Sequence, residues 1–197
     1  MSVRAIVLAA GRGTRMKSPL PKVAHEAAGR PLVAWVLDAV AGLEPAETVV
    51  VVGYGADRVR EVLPQGVVAA EQREQLGTGH AVMEALEQMG AVSGDTVVVV
   101  PGDSPLFRAE TLAALLDGHR GADATLLTAR VPDPSGYGRV LRDGDRVVGI
   151  VEDGDADPQQ REIDEIAVST YAFDGDALVG ALRRIGRDNR QGEYYLT

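Results

Sequence analysis

The sequence predicts an α/β fold built on a doubly wound, mostly parallel sheet. Three observations carry this. Short Val-rich runs recur over the first 130 residues with no polar alternation, as in strands covered on both faces. Segments with helical spacing separate them, which calls for right-handed crossovers. The length, 197 residues, suits one domain with a sizeable core.

The elements follow in order. Val3–Leu8 reads as a buried strand, and residues 8–23, LAAGRGTRMKSPLPKV, form a loop after it. Pro31–Ala41 reads as a helix, with Pro31 suited to its first turn. Leu32, Trp35, Val36 and Ala39 share one face there, which assigns Trp35 to the core. Strands are expected at Thr48–Val52, Val67–Ala69, Thr96–Val100 and Ala124–Thr128, and helices at Ala56–Leu63, Gly79–Met89 and Ala109–Asp117. The pattern then changes. Gly136–Leu141 and Arg146–Val151 flank Asp143-Gly144-Asp145, a hairpin signal. Ile166–Phe173 reads as a strand and Asp176–Ile185 as a helix. Val131–Ser135 is a turn-rich joint rather than a boundary, so residues 1–197 are read as one domain.

Composition narrows the function. There are no cysteines, which excludes disulfides and thiolate metal sites. No apolar run reaches membrane-spanning length and no signal peptide precedes the first strand, so the expectation is a cytoplasmic, soluble protein. The net charge of −9 argues against a nucleic-acid partner. Yet residues 1–30 carry Arg4, Arg12, Arg15, Lys17, Lys22 and Arg30 against Glu26 alone. A local basic site in an acidic protein fits a small anion better than a polymer.

That site is the loop. Small residues let backbone N–H groups approach a ligand, and Arg12, Arg15 and Lys22 suit a polyphosphate. Lys17 and Lys22 are the only lysines in a chain that otherwise uses Arg, and both fall here. The loop is not a P-loop, and Met16 breaks the dinucleotide fingerprint after Gly11-x-Gly13. Asp103 follows the strand Thr96–Val100 through Pro101-Gly102, which places a carboxylate at the ligand end of a parallel sheet. Mg²⁺ is commonly held by one or two carboxylates plus substrate phosphates.

The pattern L-A-A-G-x-G-T-R-M followed by P-K resembles the signature of sugar-1-phosphate nucleotidylyltransferases. The likeness is greatest to the uridylyltransferase domain of the bifunctional N-acetylglucosamine-1-phosphate uridylyltransferases. It recurs at EQLGTGHA (74–81), GDSPL (102–106), GYGR (136–139), GIVE (149–152) and QGEYYLT (191–197). The resemblance implies a Rossmann-like nucleotide-diphospho-sugar transferase fold. The implied reaction is attack of a sugar-1-phosphate on the α-phosphorus of UTP, in the cytoplasmic supply of peptidoglycan precursors. Arg15 would neutralise the β- and γ-phosphates, Lys22 the α-phosphate, and Asp103 would hold Mg²⁺. Leu8, Ala9, Ala10, Gly11, Gly13 and Thr14 would line the nucleotide site, with Arg12 left as a solvated side chain. Gln72, Gly77 and Thr78 would read the base, and Gly102, Gly138, Glu152 and Ala167 would hold the sugar. No chemistry is assigned to His25, His80 or His119.

Two residues depart from the family pattern. Ala167 stands where the family has a sugar-contacting Asn, and Pro101 where it has an aromatic residue. The sugar therefore stays open: another hexose-1-phosphate, dTTP or CTP as donor, or a non-catalytic nucleotide-sugar sensor are the alternatives. In the resembled family the chain continues beyond QGEYYLT. Further strands bring an Asn to the metal, and a β-helix adds acetyltransferase activity. The expectation is a domain incomplete at its C-terminus, without the hexapeptide repeats of that β-helix and without acetyltransferase activity. A homo-oligomer is allowed for a full-length form.

Overall fold

The structure, a computed structural model, describes residues 2–13 and 16–197. Four parallel strands form one half of its main sheet: β1 (Val3–Ala9), β4 (Glu47–Val52), β5 (Val68–Glu71) and β6 (Thr96–Pro101). Their order is β5-β4-β1-β6. The chain leaves β1 to one side and later returns to its other side, so the carboxyl ends of β1 and β6 flank a topological switch point.

Both faces of this half are covered. Val33, Val36, Leu37 and Val40 of α1 (Leu32–Ala41) pack with Leu112 and Leu115 of α4 (Ala109–Gly118) on alternate residues Ala5, Val7, Val50, Val52, Val98 and Val100. The intervening residues Ile6, Val49, Val51, Val97 and Val99 meet Ala81, Val82 and Ala85 of α3 (Thr78–Met89), and Leu178 and Leu182 of α6 (Gly175–Leu182). Two-sided burial is why these strands lack polar alternation. A short helix, α2 (Ala56–Arg60), follows β4. At the amino-terminal edge, Arg4 bridges Glu47 (3.0 Å) and Asp95 (2.8 Å), and Asp95 also accepts from the Ser2 backbone and hydroxyl.

The second half is antiparallel. It comprises β7 (Ala124–Arg130), the hairpin β8 (Arg139–Asp143) and β9 (Arg146–Val151), and β10 (Glu165–Asp174). A one-turn helix, α5 (Pro158–Arg161), precedes β10 and is closed by an Asp157–Gln160 capping box. β10 joins the halves. Tyr171–Asp174 pair with β6, Ile166 pairs with β8, and the alignment with β7 shifts between Ala167 and Tyr171. Within that bulge Ser169 takes φ +54°. The predicted strand Ala124–Thr128 thus exists, but it is only half-buried and runs beside β10.

Besides α5, two short strands escaped the sequence reading. β2 (Glu26–Ala27) and β3 (Arg30–Pro31) form a hairpin through Ala28 and Gly29, both at positive φ, as a type I′ turn requires. Trp35 belongs to this hairpin rather than to the core. Its indole N–H donates to the Ala27 carbonyl (3.0 Å) and the Arg30 guanidinium lies 4.5 Å above its ring.

Candidate active site

A cleft of about 700 Å³ opens at the carboxyl ends of β1, β5 and β6. Leu8, Ala9, Ala10, Gly11 and Gly13 form one wall, Gln72, Gly77 and Thr78 another, and Lys22 and Asp103 lie between. Most of the residues expected to hold a nucleotide therefore come together. Thr14 and Arg15 fall outside the described residues.

Two carbonyls of the loop after β1 are held by backbone donors. Tyr54 N–H donates to Ala10 O (3.1 Å) and Met16 N–H to Gly13 O (2.9 Å). Gly13 sits at φ +60°, and a Cβ there would lie 2.6 Å from the Lys22 Cβ. The glycine thus makes room for the stem of Lys22. Lys22 follows Pro21 into a single 3₁₀ turn, and its ammonium donates to Asp103 Oδ2 at 2.5 Å. Both side chains of the pair are about one-third exposed, at 35% and 32%. The cation and the carboxylate expected to divide the work of binding phosphate and metal face each other directly. Each compensates the other's charge.

Gln72 is buried where the chain leaves β5, its backbone N–H donating to Val52 O (2.8 Å). Its side-chain NH₂ donates to Gly77 O (2.9 Å) and meets His80 Nδ1 at 3.0 Å. Gly77 precedes α3 at φ +106°, and a Cβ there would strike Tyr194 O at 2.5 Å. Its freedom is required by the chain's final segment. That segment crosses the start of α3. Tyr194 N–H donates to Leu76 O (2.7 Å), Gly79 N–H donates to Tyr194 O (2.8 Å), and Leu196 N–H donates to Thr78 Oγ1 (3.0 Å).

The residues expected to hold the sugar do not line this cleft. Gly102 lies behind it, its N–H donating to Leu8 O (2.8 Å). Gly138, Glu152 and Ala167 form a separate group: Ala167 N–H donates to Gly138 O (2.9 Å), and a Cβ on Gly138 would stand 3.4 Å from Glu152 Oε1. The Thr197 hydroxyl donates to the same Glu152 oxygen (3.0 Å), so the final segment spans from the cleft to this group. Nearby Tyr171 has its phenol pushed above the usual range by burial and by the Glu152 charge.

Sequence reasoning missed several cleft residues. Arg12 is exposed, as expected, yet it borders the cleft with its guanidinium 5.2 Å from the Tyr54 ring centre. Met16, Val23 and Gln75 also line it. Ser169 and Glu193 reach it from β10 and the final segment. The polar pair Ser169-Thr170 interrupting an apolar strand was the available signal for the former. Lys17 does not line the cleft and stands at φ +49°.

Residues 5–149, well over half of the chain, match the family described as the MobA-like NTP transferase domain. The chain belongs to that family. This NTP transferase domain is 52% identical to the bifunctional protein GlmU of Lactococcus lactis subsp. cremoris (strain MG1363), over 100% of its own length and 43% of the relative's. It is 50% identical to the bifunctional protein GlmU of Enterococcus faecalis (strain ATCC 700802 / V583), over 98% of its length and 43% of the relative's. The chain thus spans less than half the length of the curated relatives it matches. Among solved structures, a UDP-glucose pyrophosphorylase complexed with UDP-glucose shares the fold, with a TM-score of 0.75, 15% identity and coverage of 100% of this chain and 84% of that chain. The expected Rossmann-like α/β class agrees with this likeness. No helix among the described residues is long and apolar enough to cross a membrane.

Proposed function

We propose that the domain transfers a uridylyl group from UTP to a hexose-1-phosphate, with N-acetylglucosamine-1-phosphate the preferred acceptor, releasing pyrophosphate. The observation that carries this reading is the meeting of Lys22 and Asp103 at the switch point, between a small-residue loop and buried Gln72. The GlmU relatives, at about half identity, support the choice of substrates.

Phosphoryl transfer of this kind depends on positioning and charge neutralisation more than on a covalent nucleophile. Lys22 would leave Asp103 for the α-phosphate oxygens, where charge grows as pyrophosphate departs. Arg15, on the same loop, would take the β- and γ-phosphates. Gln72 would bind the base. Asp103 suits a hard cation such as Mg²⁺: it is a partly exposed carboxylate on the cleft wall, with one oxygen on Lys22. Among the described residues no group of three or more His, Asp or Glu side chains could hold a metal. Phosphate oxygens and water would complete the ligand set alongside Asp103, together with the Asn that further strands bring in the resembled family. Bound Mg²⁺ would neutralise charge on the polyphosphate. Glu152 would accept from sugar hydroxyls, with Gly138 and Ala167 shaping that subsite. The chain would act as one nucleotidyltransferase domain in the cytoplasm.

The test is pyrophosphate release measured by coupled phosphate detection, with UTP, dTTP and CTP crossed against N-acetylglucosamine-1-phosphate and glucose-1-phosphate. Turnover should be highest for UTP with N-acetylglucosamine-1-phosphate and should vanish in EDTA. Release from no pair, or a clear preference for another pair, would overturn the proposal.

A further inference from the structure

No chemistry is expected of His80 from the sequence, yet it touches Gln72, whose side chain is placed to recognise a base. Gln72 is only 3% exposed, and its side-chain NH₂ donates to Gly77 O at 2.9 Å and meets His80 Nδ1 at 3.0 Å. A carbonyl oxygen can only accept, so Gly77 fixes which end of the amide is NH₂. His80 Nε2 lies 3.1 Å from Glu84 Oε1, one turn along α3. Glu84 can only accept, so the ring proton sits on Nε2 and Nδ1 offers a lone pair. The two acceptors on either side of the NH₂ hold the amide in one orientation. What Gln72 has left for a ligand in the cleft is Oε1, an acceptor.

We infer that His80 is a positioning residue that makes Gln72 selective for a pyrimidine carrying a proton on N3. This rests on the proposed reading of Gln72 as the base-binding residue. Uracil and thymine present an N3–H donor to Oε1. Cytosine presents a bare N3, so two acceptors would meet at a buried group. Such a mismatch is worth roughly 10- to 100-fold in affinity. To accept cytosine the amide must rotate by half a turn. Its oxygen would then face Gly77 O, and His80 Nδ1 would lose its partner. The Glu84–His80–Gln72 chain therefore adds a second fixed acceptor to the one Gly77 supplies, and raises the cost of turning the amide over.

The experiment is calorimetric titration of UTP, CTP and inorganic tripolyphosphate into the intact domain and its variants, all with Mg²⁺, with a thermal melt of each. The wild type should favour UTP over CTP by 10-fold or more. His80→Leu removes the lone pair, leaving Gly77 as the only restraint. UTP should weaken and CTP should strengthen, with the ratio falling by about 3- to 10-fold. His80→Asn offers an acceptor near the position of Nδ1 and should restore most of the preference. Tripolyphosphate binding should be unchanged throughout. An undiminished UTP:CTP ratio in a folded His80→Leu would overturn the inference. So would parallel weakening of both nucleotides there, or a His80→Asn variant no more selective than His80→Leu. Failure of the underlying reading looks different: wild-type UTP binds no better than tripolyphosphate, and Gln72→Ala changes neither.

Discussion

Removing the Lys22 ammonium separates the two things that side chain does. In Lys22→Ala the 2.5 Å pair with Asp103 is lost, but both partners are about one-third exposed. An ion pair that wet contributes about 0–1 kcal/mol to folding. The loss of stability should therefore stay below about 1 kcal/mol. Turnover responds to a different quantity. A donor aimed at oxygens that gain charge in the transition state is worth roughly 10²-fold or more, or about 2.7 kcal/mol in the barrier. Asp103, stripped of its cation, also faces an incoming triphosphate, so the KM for UTP should rise. Steady-state pyrophosphate release and urea unfolding, run on the same preparation, read the two effects separately. Lys22→Arg should recover only part of the rate, because the stem passes against Gly13 and a planar guanidinium cannot replace a compact ammonium there. Near-normal turnover in Lys22→Ala would refute the reasoning, as would a stability loss large enough to account for the lost activity.

Other expected outcomes follow from the same geometry. Asp103→Ala should abolish Mg²⁺-dependent turnover while UTP still binds, and a Mg²⁺ titration with unchanged response would reduce Asp103 to a turn residue. Gly77→Ala forces a side chain to φ +106° and against Tyr194 O, and should cost about 1–3 kcal/mol in chemical denaturation. Glu165 is held at about 2 by paired hydrogen bonds from Arg142. Its folded value lies below the ordinary 4.5, so its contribution to stability is complete above that value and is lost as pH falls toward about 2. Glu165→Gln should flatten the acid limb of the stability profile in that window; an unaltered slope would show that other carboxylates set it.

The sequence was most legible where structure is local. The Val runs and the alternating helices between them predict the parallel half with few errors, because burial on both faces leaves its mark residue by residue. The loop after β1 and Asp103 were legible because each lies just beyond a strand end. The antiparallel half was less so. Nothing local in Ala124–Arg130 says that its neighbour is β10, more than 30 residues later. Ser169 enters the cleft through a bulge that exists only because β10 changes partners midway. The mutual pairing of Lys22 and Asp103 joins residues 81 positions apart, so each role could be guessed but not their contact. Trp35 misled the helical pattern because its indole N–H found a carbonyl in a hairpin too short to detect.

The Arg4 cluster at the far edge of the sheet has a bearing on the cleft. Sliding β4 or β6 past β1 by one residue exchanges one Val for another, so the hydrophobic pattern that forms these strands leaves their registry nearly degenerate. Charge breaks the degeneracy. Arg4 on β1 reaches Glu47 at the start of β4 and Asp95 just before β6, and Ser2 clamps the same carboxylate. A one-residue slip of β6 would shift the turn that carries Asp103 by about 3.3 Å relative to Lys22. The fine alignment of the cleft is thus set from the opposite end of three stiff rods, by groups that never touch a ligand.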